Sequence, residues 1–209
     1  MPVTGDDATA RAYTARVRPA PVTIRPRTPD DLARLVVVLA AQQAATGYPV
    51  RWPLPFPVED FVVRRDELVA WVAVDGDEVV GHVAVLAVTS GWDADGWSAG
   101  TGRAASELAA VSVLFVDPGA AGRGIGSALL ATAVQHARAL GRTPVLDVVS
   151  ESTRAVDLYR RHGWQVVGRV RPPWLPADRD PLLLMALPEG DEGAEGRTVT
   201  EPDGRGRRG

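Results

Sequence analysis

Residues 114–128 decide the fold, and they read LFVDPGAAGRGIGSA. An apolar run ends at Asp117-Pro118, a loop with four glycines follows, and a helical pattern begins at Ser127. A junction of strand, glycine loop and helix gathers unpaired backbone N–H groups around one point, at the positive end of the helix dipole. Glycines let an anion approach those groups closely. The stretch therefore predicts a loop that binds phosphate or pyrophosphate.

Two common nucleotide-binding loops do not match these residues. A P-loop has Lys followed by Ser or Thr after its last glycine, and the chain contains no Lys. The dinucleotide fingerprint is G-x-G-x-x-G/A, but its third small residue would fall on Ser127 or on Leu129, depending on the starting glycine. Both motifs are excluded, and a glycine-rich turn without a ligand stays open as an alternative.

Length and composition indicate one domain with a tail at each end. A domain is predicted over 22–187, with a disordered leader over 1–21 and a disordered tail over 188–209. The chain has no Cys, which excludes disulfides and thiolate metal sites and favours a cytoplasmic setting. No apolar run reaches the ~18 residues of a membrane span. No metal site is predicted.

The charged residues argue against nucleic acid as the main partner. The formal net charge is −3, whereas phosphate binding normally requires an excess of basic residues. All 23 basic residues are Arg, and Asn is absent as well as Lys. Because Lys and Asn have A- and T-rich codons, this usage indicates a bacterial genome of high G+C content.

Hydrophobic periodicity predicts an α/β protein with the order β-α-α-β-β-β-α-β-α-β-β. The predicted strands are 22–25, 69–74, 79–88, 107–116, 144–149, 165–170 and 182–187. The predicted helices are 29–46, 58–68, 127–140 and 152–162. The segment 89–106 is rich in Gly, Ala and Ser, and its length predicts a functional or disordered loop. The fourth and fifth strands should be parallel, because a helix connects them.

Two motifs in this order resemble those of the GNAT acyltransferase superfamily. The acyl-CoA loop of that family is matched by Val116, Pro118, Gly122, Arg123, Gly124 and Gly126, whereas Ala121 replaces the usual Gln or Arg. A second motif, after the fifth strand, is matched by Ala155, Leu158 and Tyr159, and Ser152 replaces the usual Asn. The resemblance covers about 22–187. It implies a mixed, largely antiparallel sheet with helices on both faces, whose parallel fourth and fifth strands splay to form the acyl-CoA cleft.

The resemblance also implies roles for individual residues. Acetyl-CoA would be bound by the fourth strand, the glycine loop and the start of the last helix, which supply Leu114, Phe115, Val116, Ala121, Gly122, Arg123, Gly124, Ile125, Gly126, Ser127 and Ser152. Tyr159 would contact the same co-substrate and give a proton to the departing thiolate, since a phenol is mostly protonated at neutral pH. A half-buried aromatic residue that only packs on the sheet is the alternative for Tyr159.

The general base is the least determined part of this prediction. Some family members carry Glu where this chain has Ser112, and the nearest carboxylate on the predicted fourth strand is Glu107. Successive residues of a strand face opposite sides, so Glu107 can reach the cleft only if a bulge intervenes. A relay through His82, ordered water, or a solvent-exposed Glu107 without a catalytic role are the alternatives.

For the acceptor side, the family points to the Pro-rich segment 48–57 and the segment 89–106. Their aromatic residues Tyr48, Trp52, Trp92 and Trp97 are candidate walls, and Asp93 and Asp95 are candidate partners for a cationic amine. Ordinary surface residues are the alternative.

Together the resemblance implies a GNAT-type N-acetyltransferase that moves the acetyl group of acetyl-CoA to a primary amine of a small molecule or peptide, with a homodimer possible. A catalytically silent CoA-binding module and a partner-binding protein without CoA stay open.

Overall fold

A seven-stranded sheet organises the part of the chain that the computed structural model describes, residues 21–189. Its strands are β1 (Thr23–Pro26), β2 (Glu67–Asp75), β3 (Glu78–Ala87), β4 (Leu108–Val116), β5 (Thr143–Val149), β6 (Gln165–Val170) and β7 (Leu182–Ala186). The helices are α1 (Leu32–Thr46), α2 (Val58–Val62), α3 (Trp92–Thr101), α4 (Ile125–Ala139) and α5 (Thr153–Arg161), with short 3-10 helices at Pro29–Asp31, Ala105–Glu107 and Pro118–Ala120. The predicted disordered leader and tail fall almost wholly outside the described residues.

The strand order is β1-β2-β3-β4-β5-β7-β6. Every neighbouring pair is antiparallel except β4 and β5, which run parallel with α4 as their connection. A tight turn at Gly76, with a φ of 61°, joins β2 to β3 as a hairpin. The predicted mixed, largely antiparallel sheet with a parallel fourth and fifth strand is confirmed.

Helices cover both faces of the sheet. Leu35, Val38 and Leu39 of α1 follow a helical spacing and pack with Val113 and Phe115 of β4. The next residues along β4, Leu114 and Val116, pack instead with α4 and α5. Since neighbouring strand residues point to opposite sides, α1 and α4 lie on opposite faces.

Segment 89–106 differs from its prediction, because residues 92–101 form α3. Ala94 and Trp97 of this helix are buried against β5 and β7. A Cβ on Gly100 would lie 2.3 Å from the backbone oxygen of Val167, so glycine here allows close packing of the helix on β6. The glycines that predicted a loop therefore serve helix packing.

Two further boundaries differ from prediction. The second helix ends at Val62 rather than near residue 68, because β2 already begins at Glu67. The 3-10 helix at Pro29–Asp31 precedes α1 within the helix predicted over 29–46. Within residues 21–189, no helix has both the length and the apolar character needed to cross a membrane.

Candidate active site

The parallel strands β4 and β5 separate after a short paired stretch. They pair only where Leu108–Ala110 faces Thr143–Val145. Further along, Ser112 and Phe115 of β4 pair with Ala84 and His82 of β3, so β4 has one residue more than its partner over this interval. That extra residue is a bulge, which bends a strand. The bend leaves a crevice between β4 and β5 beyond Ala110.

The bulge is centred on Val113. Its φ of 52° is in the left-handed region, where a β-branched residue is a rare outlier. Val111 packs in the cluster of α4 and α5, whereas Val113 packs in the cluster of α1 and α2. The bulge has therefore reversed which residues of β4 point to each face.

His82 on the neighbouring strand holds the bulge. Its ring is fully buried, stacks on Phe115 with 5.4 Å between centroids, and donates from Nδ1 to the Val113 carbonyl at 2.9 Å. Nε2 accepts a hydrogen bond of 3.1 Å from Arg27, which also binds both carboxylate oxygens of Glu67, at 2.7 and 3.1 Å. Burial lowers the pKa of His82 to about 4. With both ring nitrogens engaged, His82 has none free to relay a proton.

The glycine loop between β4 and α4 keeps its backbone open. Gly122 and Gly124 have φ values of 78° and 79°, and a Cβ on either would have no atom within 4 Å. Helix α4 begins at Ile125, two residues before the predicted start at Ser127. Within the described part of the chain, the N–H groups of residues 122–127 have no backbone acceptor. These donors, at the positive end of the α4 dipole, fit the pyrophosphate of acetyl-CoA.

The side chains around this loop are engaged elsewhere. The Arg123 guanidinium forms two contacts of 2.5 and 3.2 Å with the Asp75 carboxylate, which ties the loop to the turn between β2 and β3. Ala121 has no polar side chain to offer, and its N–H donates to the Pro118 carbonyl at 3.3 Å. Ser152 directly precedes α5, but its side chain makes no capping hydrogen bond. The loop therefore presents mainly backbone groups to an anion.

Asp147 stands two residues beyond the last β4–β5 pair. Its side chain is exposed although β5 is an inner strand, because the crevice opens beside it. Water reaches this carboxylate, yet protein surrounds it closely enough that desolvation raises its pKa to about 6, and the charge of Asp93 adds to the rise. A carboxylate with such a pKa is mostly ionised at pH 7 and is well matched to accept a proton.

Two phenols lie within electrostatic reach of Asp147. The pKa of Tyr159 is raised by burial and then by the charge of Asp147, so its hydroxyl stays protonated at neutral pH. The pKa of Tyr48 is also raised, by burial first and then by Tyr159 and Asp147. The Tyr159 ring packs edge-on against Trp164 at 5.9 Å, and the Tyr48 ring packs similarly on Phe61 at 6.1 Å. Both phenols are thus fixed by packing, and Asp147 is fixed by its place in the sheet.

The placement of Glu107 on the fourth strand is wrong. Glu107 ends a 3-10 helix before β4, is exposed, and its carboxylate accepts a hydrogen bond of 2.8 Å from the Ala104 N–H. The bulge does exist, but it follows Ser112, so it does not bring Glu107 to the side on which Ser112 lies. Glu107 is also adjacent to the paired part of β4, away from the crevice.

The tryptophans of the expected acceptor walls have different surroundings. Trp97 is only 2% exposed and its Nε1–H donates to the Leu146 carbonyl at 3.1 Å, so it is chiefly a core residue. Trp92 is half-buried and packs edge-on with Trp174, with 6.5 Å between centroids. Trp52 is half-buried in the Pro-rich segment. Of the two candidate acids, Asp93 is half-buried and Asp95 is exposed.

Sequence reasoning missed Asp147, although a signal for it is present. Residues 143–149 read TPVLDVV, in which one carboxylate interrupts an apolar strand. A charged residue within a buried strand is rarely tolerated without a function or a partner. Among the described residues, no group of three or more His, Asp or Glu side chains is arranged to hold a metal ion.

Comparison with known structures gives the same fold. The ribosomal-protein-S18-alanine N-acetyltransferase of Escherichia coli matches 83% of this chain and 97% of its own, with a TM-score of 0.58 and 18% identity. A GCN5-related N-acetyltransferase of Kribbella flavida matches 80% of this chain and 98% of its own, with a TM-score of 0.59 and 21% identity. Arabidopsis thaliana NAA60, solved with acetyl-CoA, matches 79% of this chain and 97% of its own, with a TM-score of 0.57 and 22% identity.

Sequence comparison identifies the family. An uncharacterized N-acetyltransferase of Methanocaldococcus jannaschii is 42% identical over 60 residues, a segment that spans 28% of this chain and about a quarter (26%) of that relative. The Acetyltransferase (GNAT) family matches residues 38–164, more than half of the chain. The predicted resemblance is confirmed: the chain belongs to the GNAT acetyltransferase family.

Proposed function

We propose that the protein moves an acetyl group from acetyl-CoA to a primary amine of a small molecule or peptide by direct attack. The observation that carries this proposal is the crevice between β4 and β5, which has Asp147 and Tyr159 beside it and the glycine loop following β4. A binding loop, a proton acceptor and a proton donor are thereby available within one part of the fold.

Backbone N–H donors are available both in the glycine loop and along the end of β4. The backbone of residues 121–127, in which the N–H groups from Gly122 onward have no backbone acceptor within the described chain, would hold the pyrophosphate, with Ser152 nearby at the start of α5. Backbone N–H groups of residues 114–116 would hold the thioester carbonyl. Acetyl-CoA supplies the acyl group as a thioester, whose carbonyl carbon is open to attack. Donors aimed at the carbonyl oxygen stabilise the negative charge that develops there during attack.

Asp147 and Tyr159 divide the proton transfers in this proposal. Asp147 takes the proton from the acceptor ammonium, which frees the nitrogen lone pair to attack the carbonyl carbon. As the new C–N bond forms and the C–S bond breaks, Tyr159 gives its proton to the departing sulfur, and the nitrogen passes its remaining surplus proton through water to the Tyr159 phenolate. Asp147 thus takes the role that the sequence suggested for Glu107, whose carboxylate instead caps the turn before β4.

We place this reaction in the bacterial cytoplasm. The absence of Cys and the Arg-only set of basic residues support that setting. The net charge of −3 does not favour nucleic acid as the partner.

Binding of acetyl-CoA is tested by thermal shift. Ligand at 100 times its dissociation constant stabilises the native state by ~2.7 kcal/mol, so the melting temperature should rise. Gly124→Val should remove the rise, because its side chain would fill the open space through which an anion reaches the backbone N–H groups of the loop. Gly141→Val is the matched control: Gly141 has the same left-handed φ, at 68°, but follows the other end of α4. No shift in the parent protein at millimolar acetyl-CoA would contradict the proposal.

Turnover is tested by free CoA release with a panel of amines. Tyr159→Phe keeps the ring packing but removes the acid, which should lower kcat by about 10²- to 10⁴-fold while the acetyl-CoA shift persists. Binding without CoA release from any amine would favour the silent CoA-binding module. A Tyr159→Phe variant with the parental kcat would assign the proton to another group.

A further inference from the structure

A cavity of about 320 Å³ opens next to the crevice. Its walls come from the segment after α2, the end of β3, α3 and the paired part of β4, and include Arg64, Asp66, Val88, Asp93, Trp97 and Ala110. Two contacts join this cavity to the candidate active site. Ala110 pairs with Val145, the last residue of β5 before the strands separate, and Trp97 donates to the Leu146 carbonyl. The cavity therefore borders the two residues that precede Asp147 in β5.

The size of the cavity limits what it can hold. Ligand pockets usually measure about 300–1,000 Å³, so this one is at the small end of that range. It suits a small molecule better than several residues of a peptide. The glycine loop follows the opposite end of β4, which leaves this side of the crevice free for the acceptor of the proposed reaction.

Arg64 is the unusual group in the cavity wall. It is half-buried, and its guanidinium carbon lies 5.6 Å from the centre of the Phe61 ring. Within residues 21–189 it forms no ion pair, although Asp60, Asp66 and Asp93 border the same cavity. By contrast, Arg27 of similar burial binds Glu67 with both guanidinium nitrogens.

A half-buried guanidinium without an acidic partner is suited to an anionic ligand group. Its planar set of donors matches a carboxylate through two parallel hydrogen bonds. The Arg64 backbone is fixed, since its carbonyl accepts from the Glu67 N–H at 3.2 Å in the turn that starts β2. Arg64 is therefore held at the cavity wall before any ligand binds.

The wall that α3 contributes to the cavity carries a carboxylate. Asp93 lies on α3, and one of its carboxylate oxygens accepts from the Ala94 N–H at 2.9 Å, which leaves the second oxygen available. The charges of Asp93 and Arg64 both act on Asp147, raising and lowering its pKa respectively. Asp93 and Arg64 therefore each lie within electrostatic reach of Asp147, and both border the same small cavity.

We propose that the acceptor is a small amine that also carries a carboxylate, such as a free amino acid, whose carboxylate binds Arg64 while its amine faces Asp93 and Asp147. This inference rests on the proposed function and specifies its acceptor. A peptide N-terminus has an amide where the amino acid has its carboxylate, so it would leave Arg64 unpaired.

The test compares each amino acid with its amide, for example leucine with leucinamide, using CoA release. The amide keeps the side chain and amine but lacks the carboxylate, and its less basic amine favours it chemically. We expect the protein to prefer the acid by at least about 10-fold in kcat/KM. Arg64→Gln should abolish this preference, mainly by raising KM for the acid about 10- to 100-fold, because a charge-assisted pair is lost.

Arg161→Gln is the matched control, since Arg161 is an exposed arginine at the end of α5 that, among the described residues, forms no ion pair and does not border the cavity. It should leave the preference for the acid unchanged. Equal rates for acids, amides and dipeptides in the parent protein would overturn the inference, as would a preference that survives Arg64→Gln.

Calorimetric titration of the same compounds, with CoA present, separates this inference from the proposed function. Binding of free amino acids that is weakened by Arg64→Gln supports the inference even without turnover. Failure of every amino acid to bind, in protein that shows the acetyl-CoA thermal shift, overturns the inference and leaves the CoA-binding part of the proposed function intact. Failure of acetyl-CoA to bind, with amino acid binding retained, contradicts the proposed function alone.

Discussion

Replacing His82 with Gln should make the stability of the protein less sensitive to acid. His82 is fully buried between the Val113 carbonyl and the Arg27 guanidinium. Its pKa of about 4 means that the folded state keeps the ring neutral, whereas the unfolded chain protonates it near 6.5. Between these two pH values the unfolded state binds more protons, so acidification favours unfolding.

The size of this effect follows from the two pKa values. Each pH unit in that window costs about 1.4 kcal/mol of unfolding free energy. His82 therefore removes about 2 kcal/mol of stability between pH 7 and pH 5, and about 3 kcal/mol by pH 4. At pH 7 the variant should be less stable than the parent by about 1–3 kcal/mol, because a buried hydrogen-bonding partner is replaced imperfectly.

Urea unfolding followed by tryptophan fluorescence measures both quantities. The parent and His82→Gln are unfolded at pH 7, 5 and 4, and their difference in unfolding free energy is compared. We expect the deficit of the variant to shrink by about 2 kcal/mol at pH 5. Other titrating groups, including Asp147 whose raised pKa acts in the opposite direction, are common to both proteins and cancel. A difference that does not change with pH would refute the reasoning.

Three further outcomes are expected. Asp147→Asn should lower kcat/KM by about 10²- to 10⁴-fold and remove the increase in rate with pH around 6. Asp157 is an exposed acid on α5, and Asp157→Asn should keep the dependence of rate on pH that the parent protein has. Gly100→Ala should destabilise the protein in urea by about 1–3 kcal/mol, since its Cβ would meet the Val167 backbone, and by more than Gly96→Ala, whose neighbour is the movable end of Leu184. Asp31→Asn should lower the unfolding free energy by about 2 kcal/mol above pH 4, because hydrogen bonds from Arg25 first, and then from Thr28, hold the pKa of Asp31 at about 2. This loss of stability should vanish as the pH falls through 2, and a loss that stays constant with pH would contradict the assignment.

The parts of the fold that depend on interactions between residues close together in the sequence could be predicted from the sequence. The alternation of apolar residues, the turn before Glu78 and the glycines after Asp117 act within a few residues, so the order of elements along the chain and the glycine loop between β4 and α4 followed from them. The same holds for Tyr159, whose helix begins after Ser152 as predicted.

The parts with long-range causes could not be predicted. Helix α3 depends on a close approach between Gly100 and Val167, which are distant in the sequence. The position of the bulge depends on a hydrogen bond between His82 and Val113, across two strands. Without that position, the side to which a carboxylate near β4 points is undetermined, so the sequence alone could not exclude Glu107 from the crevice.

The bulge at Val113 also divides β4 into two halves that pack in different hydrophobic clusters. Before it, Leu108 and Ala110 belong to the packing cluster of α3, which forms a wall of the acceptor cavity. After it, Val113 and Phe115 belong to the cluster of α1 and α2. Substitutions that reshape the cavity for a different acceptor therefore perturb one packing unit, while the bend that opens the crevice is anchored in another. If the proposed function holds, the acceptor side of this protein could be altered by substitution while the bend between β4 and β5 is kept.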